Sequence, residues 1–195
     1  MRRAVWPVAA LVGERMIMFT NILVPLDGSA LADRILPHVA AVAQINRSLV
    51  TLLRVLEMDD VASPPVDPLA WHFAKAEAQA HLEEAARQLA LSGLTCNTVL
   101  LEGGAAQRIV EYTHRNGVDL LILSSHGKGG LSGWNVSGIA LKVIHRAGTS
   151  IMLVRSTAEH ADESSKSEPE PVHYHRILAP LDGSQRAESA LPLVG

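Results

Sequence analysis

Two short stretches of this chain carry residue types that handle phosphate. The first, Pro25-Leu26-Asp27-Gly28-Ser29, closes an apolar run, and the second, "SSHGKGGLSGWNVSG", spans Ser124 to Gly138. Glycines and serines leading into a helix N-terminus expose backbone N–H groups at the positive end of the helix dipole, and that combination holds anions. Lys128 adds a point charge, and the hydroxyls of Ser125, Ser132 and Ser137 add donors. Two sharper phosphate motifs are absent. G-x-x-x-x-G-K-[ST] occurs nowhere, and the dinucleotide fingerprint fails because Ser132 stands where Gly127-x-Gly129 requires its third glycine. The histidines show no metal-ligand spacing with cysteine or carboxylates, and no Ser-His-Asp set assembles.

Loops of this kind need strands and helices to aim them. Five apolar runs read as strands: "NILVPL", "SLVTLLRVLE", "TCNTVLLEG", "VDLLILSS" and "TSIMLVRS". Between them lie helical patterns, such as "AWHFAKAEAQAHLEEAARQLALSG", rich in strong helix formers and stopped at Gly93. Pro37 falls inside the first helical pattern and is expected to kink it. Strand-helix alternation with near-continuously apolar strands predicts a parallel sheet covered on both faces. Ligands of such sheets settle at the carboxyl ends of the strands, where the strand order reverses. Both phosphate-suited loops lie at such ends.

Composition narrows the class. Of 195 residues, 48% are hydrophobic and 19% charged, which suits a packed core in water. A net charge of −3 offers no case for nucleic acid or for an anionic membrane. No apolar run approaches the ~20 residues of a membrane helix. The start, "MRRAVWPVAALVGERM", is a poor signal peptide because Pro7 interrupts its apolar part, and a cytoplasmic location follows. The lone Cys96 reads as a small core residue in a reducing compartment.

The chain also repeats itself. Asn21–Ala40 and Arg176–Gly195 match at eleven of twenty positions at a constant offset of 155, including the unbroken P-L-D-G-S. The expected layout is a loose extension over 1–17, a domain over 18–156, an acidic polar linker over 157–172, and the truncated start of a second copy over 173–195. A strand over Ile177–Leu181 is expected to dock loosely at best and to form no second site.

Taken together, V-P-L-D-G-S after the first strand, with S-H-G-K-G-G-L-S and W-x-x-x-G-x-A-x-K-V-I after the fourth, resemble the universal stress protein family. The resemblance implies an α/β, Rossmann-like fold of five parallel strands in the order 3-2-1-4-5, with helices on both faces. It also implies ATP, accompanied by Mg²⁺, held through G-x2-G-x9-G-[ST]. That motif falls on Ser124, Gly127, Ser137 and Gly138, and only Gly127 matches strictly. The substitutions keep the residues small and keep a hydroxyl, while shifting the donor geometry.

By the same resemblance, Pro25, Leu26 and Asp27 lie against adenine and ribose, or Asp27 merely supports its turn. Val55 packs on the adenine or is plain core. Gly127, Lys128, Gly129 and Gly130 wrap the phosphates or form a solvated loop. His126 touches phosphate or ribose, or makes a structural hydrogen bond, and Trp134 anchors the next helix. Gly28, Ser29 and Leu123 complete the expected set. The implied function is an ATP-binding stress-response regulator without a catalytic residue of its own. The alternatives are a nucleotide-independent interaction module and a slow ATPase. A homodimer through the fifth strand, residues 149–156, is expected.

Overall fold

The computed structural model describes residues 10–12, 15–57, 67–126, 137–155, 172–188 and 191. The five apolar runs become β1 (Asn21–Pro25), β2 (Leu49–Leu56), β3 (Cys96–Glu102), β4 (Leu120–Ser124) and β5 (Ser150–Val154). They form one parallel sheet in the order β3-β2-β1-β4-β5. This is the α/β, Rossmann-like 3-2-1-4-5 architecture that the family resemblance implies. Six helices are described: α1 (Ala30–Asp33), α2 (Leu36–Asn46), α3 (Pro68–Leu91), α4 (Ala105–Arg115), α5 (Gly138–Arg146) and α6 (Gln185–Glu188).

Side chains alternate across the sheet, so each apolar strand feeds two cores. Ile22, Val24, Val50, Leu52 and Ile122 pack against Ile35 and Val39 near α2 and against Leu82 and Leu89 of α3. Leu23, Leu53, Leu121 and Leu123 pack on the other face against Ile109 of α4 and Ala140 and Val143 of α5. Along α3 the buried residues are Ala78, Leu82, Ala85 and Leu89, one helical stripe. Asp67 starts that helix by accepting from the Leu69 N–H at 2.9 Å, with Pro68 next in line. Cys96 lies half-buried on β3, where burial pushes its thiol pKa up.

Pro37 breaks its helix rather than kinking it. A continuous helix would ask residue 37 for an N–H toward residue 33, which proline lacks. The chain therefore ends α1 at Asp33 and restarts α2 at Leu36, with Pro37 inside the first turn. Residues 10–17, expected as loose, include Ala10–Val12 paired antiparallel with Arg15–Ile17. Ile177–Leu181, expected as a strand, is not one, and Leu178 is 91% exposed. A strand needs a hydrogen-bonded neighbour, and none of the described strands supplies one. Tyr174 does touch the domain, its hydroxyl lying 2.6 Å from His38 Nδ1 on α2.

The pairing of β1 with its two neighbours is unequal. With β2 it runs through five residue pairs to Pro25↔Leu53, and the Leu26 N–H extends it to the Leu53 carbonyl. With β4 it stops after Ile22↔Leu120 and Leu23↔Leu121. The near ends of β1 and β4 are tied by Asp119, which accepts from the Thr20 N–H at 2.8 Å and the Asn21 N–H at 2.9 Å. Asn21 offers its carbonyl to the Asp119 N–H, so odd residues of β1 face β4 and even ones face β2. Residue 25 therefore faces β4, and as a proline it has no N–H to give. The ladder ends there and the two strands part. Replacing Pro25 with valine supplies the missing donor. We expect the residue-25 amide of that variant to be protected from hydrogen exchange, with folding stability held or raised. An unprotected amide would refute this account of the splay.

Candidate functional site

The parting of β1 and β4 opens a cleft of about 360 Å³ at the carboxyl ends of the strands. It lies at the low end of the ~300–1,000 Å³ typical of ligand pockets. A larger hollow of about 570 Å³ runs between α2, α3 and residues 172–173. It sits on the outside of the helix layer, away from the strand ends, so position outweighs size.

The turn after β1 is built by its own side chains. Asp27 Oδ1 accepts from the Ser29 N–H at 2.9 Å and from the Ser29 hydroxyl at 2.6 Å, and Ser29 Oγ accepts from the Ala32 N–H at 3.1 Å. Asp27 thus shapes the turn, Ser29 caps α1, and Asp27 also lines the cleft. Gly28 adopts φ +79°, and a Cβ there would sit 1.8 Å from Arg54 Nη1. The left-handed backbone angle favours glycine, and a side chain there would also have to displace the Arg54 guanidinium.

On the β4 side, the Ser124 hydroxyl donates to the His126 carbonyl at 2.6 Å. The Ser125 N–H donates to the Val154 carbonyl at 2.8 Å, and its own carbonyl accepts from the Ser137 N–H at 3.0 Å. The two ends of the intervening loop are thereby pinned side by side at the cleft. Ser137 caps α5, its Oγ accepting from the Ala140 N–H at 3.1 Å. His126 is buried, with Nδ1 2.8 Å from the Ser125 hydroxyl. Its Nε2 has no hydrogen-bond partner among the described residues.

Of the residues named from sequence, Pro25, Leu26, Asp27, Val55, Leu123, Ser124, His126 and Ser137 line this one cleft. Gly28 and Ser29 form the turn behind it, and Gly138 opens α5. Gly127, Lys128, Gly129, Gly130, Ser132 and Trp134 lie outside the described residues. Sequence reasoning missed Arg54, Leu56, Glu57, Trp71, Ala74, Ala105 and Ile109, which complete much of the lining. Glu57 accepts from the Ala105 N–H at 3.1 Å and so serves the start of α4. Trp71, with Lys75 Nζ 5.9 Å from its ring centre, brings the first turns of α3 to the rim. Arg54 did carry a signal: it is the one charged side chain inside an otherwise uncharged β2 run.

The Universal stress protein family profile matches residues 18–155, most of the chain. The chain belongs to the universal stress protein family. Universal stress protein MJ0531 of Methanocaldococcus jannaschii is 25% identical over 141 residues, which span 71% of this chain and 83% of that protein. The solved structure of MJ0577 from the same organism superposes with a TM-score of 0.65 at 25% identity, covering 72% of this chain and 99% of that one. A universal stress protein family protein from Arabidopsis thaliana with AMP bound shares the fold at a TM-score of 0.55 and 16% identity, over 74% of this chain and 97% of its own.

Among universal stress proteins this chain's Ser137-Gly138 inverts the Gly-[ST] pair that its resemblance led us to expect, and the geometry shows what each residue does. Ser137 holds the helix cap, and a Cβ on Gly138 would meet nothing within 4 Å. Gly28 is the opposite case. We expect Gly28→Ala to lower the unfolding midpoint, since left-handed backbone costs an L-residue about 1–2 kcal/mol before any clash with Arg54. Gly138→Ala should leave the midpoint unchanged or slightly raised, and Ser137→Ala should cost about 1 kcal/mol through the lost cap. Urea denaturation of the three variants checks this, and equal effects at Gly28 and Gly138 would contradict it.

Proposed function

We propose that this chain is an ATP-binding regulatory protein, with the nucleotide seated in the cleft between the ends of β1 and β4. The observation that carries the reading is the cleft itself, apolar around Val55, Leu56 and Ile109 and polar around Asp27, Ser124, His126 and Ser137. Such a division suits a flat base at one end and a phosphorylated sugar at the other. Family membership supports it, as does the AMP held by a protein of this fold. Occupancy biases a conformation or a partner interaction to the extent that one state binds nucleotide better.

Mg²⁺ enters on the nucleotide. Among the described residues no three His, Cys, Asp or Glu side chains gather to hold a metal. Magnesium keeps several waters and is held by one or two carboxylates besides phosphate oxygens, and Asp27, which lines the cleft, is the carboxylate we assign to that role. No general base is assigned, and ATP incubated with the protein is expected to be recovered intact.

The same chain pairs with a second copy through β5 in our reading. β5 is an edge of the sheet, bonded to β4 alone among the described strands, and its Leu153 is 40% exposed. Exposed apolar edges invite strand pairing. Residues 173–195, read as the start of a second copy, add no second site. Light scattering on the chain with and without residues 157–195 should give a dimer in both; a monomer in both ends that reading.

The inverted Ser137-Gly138 pair favours one rival, an interaction module of the same fold that holds no nucleotide. Calorimetry separates them. The full chain should bind ATP at sub-millimolar concentration. If binding appears only after Ser137→Gly with Gly138→Ser, the rival is correct, and if neither protein binds at millimolar ATP, the nucleotide reading ends.

A further inference from the structure

We infer that Arg54 is an anion-binding residue of the cleft, one that makes affinity rise with the negative charge of the ligand. This deepens the nucleotide reading and rests on it for the ligand's identity, a phosphorylated nucleoside. Arg54 comes from the carboxyl end of β2, is 7% exposed, and lines the cleft. Its guanidinium lies directly against the Gly28 turn, where a Cβ on residue 28 would meet it.

A guanidinium withdrawn from water costs several kcal/mol unless something repays it. The ion pairs among the described residues are Lys75–Glu102, His81–Asp33, Arg87–Glu84 and Arg108–Glu111, and none involves Arg54. No hydrogen bond among the described residues engages it either. The acids that share the cleft have other work: Asp27 Oδ1 serves the Ser29 turn and Glu57 Oε1 serves the Ala105 N–H. A second buried group of the same lining, His126, also presents a nitrogen without a partner. Arg54 brings a permanent positive charge to the lining it shares with His126, and a ligand anion would complete that site. The arginine fork presents five N–H donors in a plane that matches phosphate oxygens.

The test compares the full wild-type chain with Arg54→Met and Arg54→Lys, titrated calorimetrically with ATP, AMP, adenosine and inorganic tripolyphosphate. Circular dichroism confirms folding of each variant. We expect affinity in the order ATP, AMP, adenosine for the wild type. Arg54→Met should lose about tenfold or more for ATP and tripolyphosphate while adenosine changes little. Arg54→Lys, keeping the charge without the fork, should fall between them, and it decides the matter alone if the methionine variant does not fold. ATP affinity unchanged in the variants, or ATP and adenosine weakened alike, overturns the proposal. Tripolyphosphate that binds in an Arg54-dependent way while no adenine compound binds leaves the anion site standing and removes the nucleotide reading. Silence from every ligand removes both.

Discussion

The organisation of this protein turns on one mismatch, the parting of β1 from β4 just where β1 stays bonded to β2. Strands on either side of β1 send their crossover helices to opposite faces of the sheet, so no connection covers the gap between them. Asp119 clamps the amino ends of β1 and β4, and Pro25 withholds the donor that would carry the ladder on. The result is a wedge, closed at one end and open at the other. Asp27, Ser124 and Ser137 stand along that opening, with Arg54 and Val55 at the neighbouring end of β2.

Around the wedge the fold spends apolar burial on rigidity and concentrates polar groups at the rim. Ile22, Leu23, Leu52, Leu53, Leu121 and Ile122 are fully buried, which anchors the strands that carry the site. Above this base the loop after β4 is held at both ends through Ser125, one bond to Val154 and one to Ser137. Ser124 and Ser137 thus sit at fixed positions although they depart from the family's glycines. Arg54 and His126 are the expensive elements, polar groups kept from water beside a core that could have used leucine.

Local chemistry was legible in the sequence, and non-local chemistry was less so. The P-L-D-G-S copies show the difference within one molecule. At both places the aspartate accepts from the serine N–H at 2.9 Å and the serine caps the next turn at 3.1 Å. Gly28 and Gly183 take φ values of +79° and +77°. The turn needs only its own residues, so it forms twice. The strand before it needs a neighbour, so it forms once, in β1 and not over Ile177–Leu181. Alternation pointed to a parallel sheet, and the strand order came from the family resemblance alone. Arg54 and Trp71 escaped because periodicity treats a lone polar residue in an apolar run as noise and an early helical tryptophan as core. Only the placement of β2 and α3 beside β1 brings them to the cleft. The break at Pro37 was half visible: a proline inside the pattern marks an interruption, but not whether the chain bends or restarts.

The most direct measurement is a backbone amide NMR titration of the full chain with Mg²⁺-ATP, followed residue by residue. This account predicts that the shifting resonances cluster at residues 26–29, 54–57, 124–126 and 137–140, the two lips of the wedge and the adjoining end of β2, with the outer faces of α2 and α3 quiet. Shifts centred on the hollow between α2 and α3, or no shifts at saturating nucleotide, would contradict it.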